Sequence, residues 1–395
     1  MPNVAVIGAG TGGLCLAQAL HAAGIEVTVH ERHRTPTDAL HGYRVRINPT
    51  GARALRRCLP APVWETFLSR AGRIGQEFGF LTERLRELAV LDGGPDAEPH
   101  YSAERGMLRE VLLTGLEDVV RFGACFERYE RTRDGRFECH FADGTSTTAD
   151  LVVGADGANS RVRAQYLPHA RRVDIGMVSI VGRLALPVAE RLLPECLSSR
   201  PNSVVAPGGT GMFVARHEPG ADEGYLMWAY GAAAHRYPAD VEILPGEQLA
   251  ELVDGLTGSW HPALRAMVRE TDPGTVNAVP IRTSVPPAAW PATRVTLLGD
   301  AIHSMTPLRG VGANMALNDA ALLARELTGS ADTRLAVGRY EDAMRRDGFR
   351  AVSESLRAAR MFVSESTTQR LLFKTVLRTA SAVPPLRRAL FAKLA

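Results

Sequence analysis

Lysine is almost missing from this chain of 395 residues: Lys374 and Lys393 are the only two, and arginine supplies every other basic side chain. The formal net charge is only +3, which leaves little electrostatic footprint for nucleic acid, and none is expected as a partner. The skew toward arginine and alanine reads as GC-rich coding bias rather than a binding surface. Cysteine is sparse too. The five, at positions 15, 58, 125, 139 and 196, are scattered and form no CxxC pair. That argues against a disulfide framework or a structural zinc site, and no metal is expected. No apolar run approaches the ~20 residues of a spanning helix. A strand starting at Val4 leaves no room for a secretory leader, so the expected compartment is the cytoplasm. The length exceeds what one core usually holds, which implies two domains or one composite fold.

The strand VAVIG at 4–8 runs into Gly8-Ala9-Gly10-Thr11-Gly12-Gly13, then into a helix with Leu14, Ala17 and Leu20 on one face. Gly24 is placed to end that helix, and IEVTVHER at 25–32 makes a second strand, closing a βαβ unit. GxGxxG at this place has a mechanical sense. The first glycine permits the tight turn, the second lets backbone approach a pyrophosphate, and the third permits close helix–strand packing. Glu31 lies where a carboxylate meets ribose hydroxyls, and it argues against a 2′-phosphate there. The spacing does not separate FAD from NAD.

Two later stretches share the strand-to-turn pattern. LVVGADGANSRVR at 151–163 ends a strand in Gly-Ala-Asp-Gly, with Asn159 or Ser160 as a helix cap and arginines nearby for phosphate. LLGDAIHSMTPLRGVGAN at 297–314 puts Asp300 at the carboxyl end of a strand, the edge where open α/β sheets take ligands. Pro307, Gly310 and Gly312 shape a loop ahead of a helix over 312–327, whose N-terminus favours an anion. Between these motifs, YRVRIN at 43–48 alternates as a strand and 102–116 reads as a helix behind Ser102. Residues 119–153 read as a meander with a hairpin at Asp143-Gly144, and strand-like runs over 173–232 imply a second, mostly antiparallel sheet.

Taken in this order and spacing, GAGTGG with Glu31-Arg32, GADGANSRVR and GDAIHSMTPLRGVGAN resemble the FAD-dependent aromatic hydroxylases. These are the single-component group A flavoprotein monooxygenases typified by para-hydroxybenzoate hydroxylase, and the likeness spans about 1–325. The resemblance implies that Gly8, Gly10, Gly12, Gly13, Glu31 and Arg32 hold the ADP half of FAD. It implies further FAD contacts from Arg44, from Arg105 of an R-x-x-L helix, and from Asp156, which is also tied to NAD(P)H. Asp300 would meet the ribityl hydroxyls, while Gly312, Ala313 and Asn314 would face the flavin ring through backbone. Ser304 and Val311 depart from the family's proline and glutamine without removing a backbone donor. His303 reads as structural.

The expected architecture is α/β. It comprises a Rossmann-like FAD-binding domain (1–75, 101–170, 285–330), an inserted substrate domain (76–100, 171–284) and a C-terminal helical segment (331–395). By resemblance the activity is NAD(P)H- and O2-dependent hydroxylation or epoxidation of an aromatic or other electron-rich apolar small molecule, through a flavin C4a-hydroperoxide, in secondary metabolism. An FAD-dependent reductase or a silent flavin-binding protein of the same fold is the alternative. No catalytic base is readable. YLMWAYG at 225–231 places Tyr225 on one strand face and Trp228 and Tyr230 on the other, and either face can line the substrate pocket while the other packs. Residues 369–394 form a basic amphipathic segment, read as a helical pair covering the active-site domain rather than lying on a membrane. A monomer or homodimer is expected.

Overall fold

The computed structural model describes residues 2–36, 44–75, 77–94, 97–217 and 224–394. Tyr43, part of the YRVRIN strand expectation, lies outside them. The chain divides into two compact units, the first from 1–74, 99–173 and 282–355, the second from 75–98, 174–281 and 356–395. The stretch from 331 onward, expected as a segment of its own, is shared between them.

The first unit is built on a five-stranded parallel sheet. Its strands are β1 (Val4–Ile7), β2 (Val27–Glu31), β3 (Val120–Phe122), β4 (Leu151–Gly154) and β5 (Val295–Leu297), in the order β5-β4-β1-β2-β3. β1 and β4 are buried at every position, as strands covered on both faces must be. Helix α1 (Thr11–Ala22) returns over the sheet with Leu14, Ala17 and Leu20 buried, and Gly24, at φ +71°, ends the turn beyond it. Residues 119–153 are not one meander. Val120–Phe122 joins the parallel sheet, while Phe126–Arg131, Phe137–Phe141 and Ser146–Ala149 form a separate antiparallel sheet. Gly144, at φ +83°, turns the expected hairpin.

The helix expected behind Ser102 begins later. His100–Ala103 is a strand paired on both sides, with Val45–Ile47 and Gly72–Ile74, so Ser102 is a sheet residue. Helix α2 (Arg105–Leu113) follows, with Glu104 at its N-cap. The remaining helices that frame the site are α3 (Arg161–Tyr166), α4 (Asp300–His303) and α5 (Gly312–Thr328). In α5, Leu317, Ala320, Ala324 and Leu327 face the core as their spacing requires. The long helix α6 (Thr333–Phe362) belongs to the first unit through Ser355.

The second unit carries a seven-stranded, mostly antiparallel sheet. Its strand order is Asn277–Ser284, Arg172–Ala185, Tyr225–Ala233, Thr210–His217, Asn202–Val205, Glu77–Leu81, Glu87–Asp92. One pairing, Asn202–Val205 with Glu77–Leu81, is parallel. Helices Gly246–Leu256 and Pro262–Arg269 contribute Leu249, Val253, Leu264 and Met267 to the same buried cluster as Leu226, Trp228 and Tyr230. Helices α7 (Thr367–Ala382) and α8 (Pro384–Leu394) share a further cluster with the Glu77–Leu81 and Glu87–Asp92 strands.

Candidate active site

The site grows from two turns stacked on each other. β1 and β4 are adjacent and in register, with Ile7 opposite Gly154. The chain leaves β1 through Gly8, whose φ of +108° is left-handed and disfavours any side chain. A Cβ there would lie 2.5 Å from the Ala155 carbonyl oxygen and 2.9 Å from the Asp156 Cα. The GAG turn and the GADG turn are therefore in backbone contact at the carboxyl edge of the sheet. Gly13 is as constrained, since a Cβ would meet the Gly8 oxygen at 2.1 Å. Gly12 lets Leu298 and Ala316 close on α1. Gly10 differs: a Cβ would find its nearest atom 4.0 Å away. That open space lies over the N-terminus of α1, which no side chain caps. A free helix start beside a bare glycine is the donor set a diphosphate uses.

Glu31, at the end of β2, is buried and closes the cradle. Its Oε2 accepts from the Ala9 N–H at 2.7 Å, and its Oε1 accepts from the His33 N–H at 3.0 Å. Arg109 of α2 lies 3.9 Å from Oε2, with Nε and Nη2 buried and without hydrogen-bond acceptors among the described residues. Arg109 was not legible in the sequence. It sits four residues, one helical turn, beyond Arg105, but the contact depends on α2 packing across the end of β2. Arg105 itself is exposed at the first position of α2, and Arg32 is exposed beyond β2. Arg44 donates from Nε to Ser102 Oγ and from Nη2 to the Ser102 carbonyl, which fastens it to the neighbouring strand.

In the second turn, Asp156 Oδ2 accepts from the N–H groups of Arg161 and Val162 and so caps α3 along with Ser160. Its Oδ1 is buried with no partner among the described residues, a vacancy for one more donor. The nearby arginines are not free for phosphate. Arg163 donates to the carbonyls of Ala301 and Ala158, pinning the GADGANS turn to the third motif. Arg161 reaches the Phe126 carbonyl.

The third motif leaves β5 through Gly299, at φ +59°. Asp300 is exposed, with Oδ1 3.9 Å from where a Cβ on Gly312 would stand, so its carboxylate lies beside the start of α5. Pro307–Arg309 forms a single turn, held where Arg309 pairs with Glu354, and left-handed Gly310 (φ +60°) redirects the chain. No side chain caps α5 at Val311, so its first N–H groups present the positive end of a 17-residue helix. Asn314 is no flavin ligand through its side chain. It is buried, accepting from the Asn48 N–H at 2.9 Å and donating to the Arg46 carbonyl at 2.8 Å, which locks α5 to the 46–48 strand end. His303 is structural in the same sense. Its Nε2 lies 2.6 Å from Asp319 Oδ2, which also accepts from the Gly299 N–H. Burial would lower the imidazole pKa, but Asp319, with Asp300 behind it, outweighs that and raises it above its ordinary value.

Within the second unit, Trp228 and Tyr230 are corrected from pocket to core. Both are fully buried: Trp228 Nε1 donates to Thr271 Oγ1 at 2.8 Å, and Tyr230 packs 5.8 Å from Trp260. Two helices cover that face, which strand alternation could not foretell. Tyr225 is on the other face and half-buried, with the Arg183 guanidinium 5.1 Å above its ring and His217 4.8 Å away.

Against known proteins, a family model described as an FAD binding domain matches residues 1–346. The dual O-methyltransferase/FAD-dependent monooxygenase elcB of Phaeosphaeria nodorum is 28% identical over 95% of this chain, which spans 45% of that protein's length. The chain thus covers about half of the first curated relatives it matches. The 3-amino-4-hydroxybenzoate 2-monooxygenase PtmB3 of Streptomyces platensis is 32% identical over 86% of this chain and 83% of its own length. A solved structure from Photorhabdus luminescens, described as a candidate FAD containing monooxygenase, superposes with a TM-score of 0.86 at 36% identity. It covers 93% of this chain and 100% of its own.

Proposed function

The chain belongs to the FAD-binding family of flavoprotein monooxygenases that includes the aromatic hydroxylases, and on that premise we propose that it oxygenates an aromatic or other electron-rich apolar small molecule. NAD(P)H would be the reductant. The overall balance is NAD(P)H, a proton, O2 and R–H giving NAD(P)+, water and R–OH. FAD, when bound, supplies the redox chemistry and oxygen activation.

One observation carries the reading. Three turns from residues 8–13, 155–157 and 299–312 share one sheet edge, with two uncapped helix starts and an exposed carboxylate among them. The N-terminus of α1 and the Gly10 backbone would hold the diphosphate. Glu31, fixed by two backbone N–H groups and with His33 Nδ1 2.7 Å from Oε1, would meet the adenosine ribose with its remaining acceptor capacity. Asp300 would accept from the ribityl hydroxyls. The start of α5 would hold the flavin ring's pyrimidine edge, its uncapped N–H groups and positive helix end favouring negative charge there. No side chain is assigned as a general base. Relatives named for an aminohydroxybenzoate and for 6-hydroxynicotinate make small hydroxylated rings the first substrates to try, and the setting we propose is secondary metabolism.

The test is reconstitution with FAD, followed by oxygen uptake and NAD(P)H oxidation across a panel of phenols, aminobenzoates and polycyclic aromatics. Substrate-stimulated oxygen uptake with a hydroxylated product is the expected result. Failure to retain FAD rejects the cofactor assignment. NAD(P)H oxidation coupled to substrate reduction without oxygen uptake identifies a reductase instead.

A further inference from the structure

Helices α7 and α8 are two-sided. Leu377, Ala380 and Phe391 pack on Phe80, Leu88 and Leu91 of the second unit's sheet. Opposite them, Leu371 and Leu372 are 63% and 64% exposed, and Val376, Val383 and Leu386 are exposed too. At ~100° per residue, Leu371, Thr375, Thr379, Leu372 and Val376 fall on one outward arc of α7 that holds no charge. Lys374 and Arg378 border that arc.

The charge around it has one sign. Residues 367–395 contain six arginines and lysines, including both lysines of the chain, and no aspartate or glutamate. Two of the six are engaged: Arg370 is buried and donates to the carbonyls of Thr210, Phe362 and Ser364, and Arg387 pairs with Asp92. Glu83 of the same unit is the carboxylate within electrostatic reach of Arg370 and Lys374. Lys374, Arg378 and Arg388 make no ion pair with the described residues.

We propose that this face docks on an anionic lipid surface, with Leu371, Leu372 and Val376 entering the headgroup–acyl boundary and Lys374, Arg378 and Arg388 meeting the phosphates. Two weak terms of this kind, apolar insertion and basic attraction, combine into reversible peripheral binding. No helix among the described residues is long and apolar enough to cross a membrane, so the attachment is interfacial. A second copy is a poor occupant, because pairing two such faces would bring cation against cation with no carboxylate in α7 or α8 to answer.

The experiment is co-sedimentation of the full chain with phosphatidylcholine vesicles and with phosphatidylcholine–phosphatidylglycerol vesicles, at low and high salt. Binding to the anionic vesicles alone, weakened by salt, is expected. Leu371→Glu with Leu372→Glu, and separately Lys374→Glu with Arg378→Glu, should each reduce it by about tenfold or more. Both double variants should keep the far-UV circular dichroism and melting temperature of the parent, since every residue changed in the first pair is exposed. Three results overturn the proposal: no binding to anionic vesicles, equal binding to neutral ones, or binding that neither variant changes. A dimer in sedimentation equilibrium that the leucine variant splits also overturns it, and assigns the face to a second copy. None of these outcomes depends on the cofactor or the oxygenase reading.

Discussion

Gly10 and Gly13 stand three residues apart in the same loop, yet they answer to different masters. At Gly13 a Cβ would collide with a carbonyl oxygen 2.1 Å away, so the fold itself forbids it. At Gly10 the nearest atom is 4.0 Å off, so only a ligand would feel the change. Gly10→Ala is therefore expected to leave the melting temperature of the apoprotein nearly unchanged, a cost of about 1 kcal/mol or less at an N-cap. It should weaken FAD binding by about tenfold or more, equivalent to ~1.4 kcal/mol, read by flavin fluorescence titration. A Gly10→Ala protein that binds FAD like the parent removes the diphosphate from this loop. The glycine pattern was legible because its reasons are local. Arg109 was not, nor was the side-chain role of Asn314, because one meets Glu31 and the other Asn48 only after elements far apart in sequence have packed.

Helix α5 ends at its N-terminus on Val311, a residue that cannot cap it. Asp there would set a negative charge against the positive end of the helix and stabilise it by about 0.3–1 kcal/mol. Val311→Asp is accordingly expected to raise the melting temperature of the apoprotein. The same carboxylate would occupy the position argued for the flavin's negative edge, so FAD affinity should fall in the same protein. Opposite signs in the thermal melt and the flavin titration are the signature; a variant that gains in both denies the helix its ligand. At this scale the sequence spoke clearly for α1 and α5, whose apolar spacing and terminal glycines are strong. It was silent on the faces of Tyr225–Ala233. Alternation defines two faces but not which one the helices Gly246–Leu256 and Pro262–Arg269 will cover. It also started a helix at Ser102, where a short strand over His100–Ala103 with partners on both sides overrides the helix signal that follows.

For the molecule as a whole, two buried groups push stability in the same direction with pH. Burial raises the Glu341 carboxyl from about 4.5 to about 7, despite its bond from Thr296. A raised folded pKa contributes stability that is complete below the unfolded value and is lost as pH rises through the folded one. His303, raised by Asp319, obeys the same sign from its ordinary value upward. Burial lowers His30 and His100 to about 4, and these two work in the opposite direction below the ordinary histidine value. Unfolding free energy from urea titrations should therefore fall only between about pH 6.5 and pH 8. Glu341→Gln should flatten the lower part of that slope and gain about 3 kcal/mol at pH 8, from 2.5 pKa units at 1.36 kcal/mol each. A parent protein whose stability climbs over this range contradicts both assignments. The first unit also carries a consequence for synthesis. Its site joins Gly8 to the start of α5 across roughly 300 intervening residues, so at 5–20 residues per second a ribosome needs about 15–60 s to deliver the second wall after the first. For about the first half of that interval the nascent β1 has its glycine turn but neither β4 nor β5 beside it, and β5 arrives only near its end. A translation arrest before residue 312 would release a chain bearing the dinucleotide signature and unable to keep the flavin.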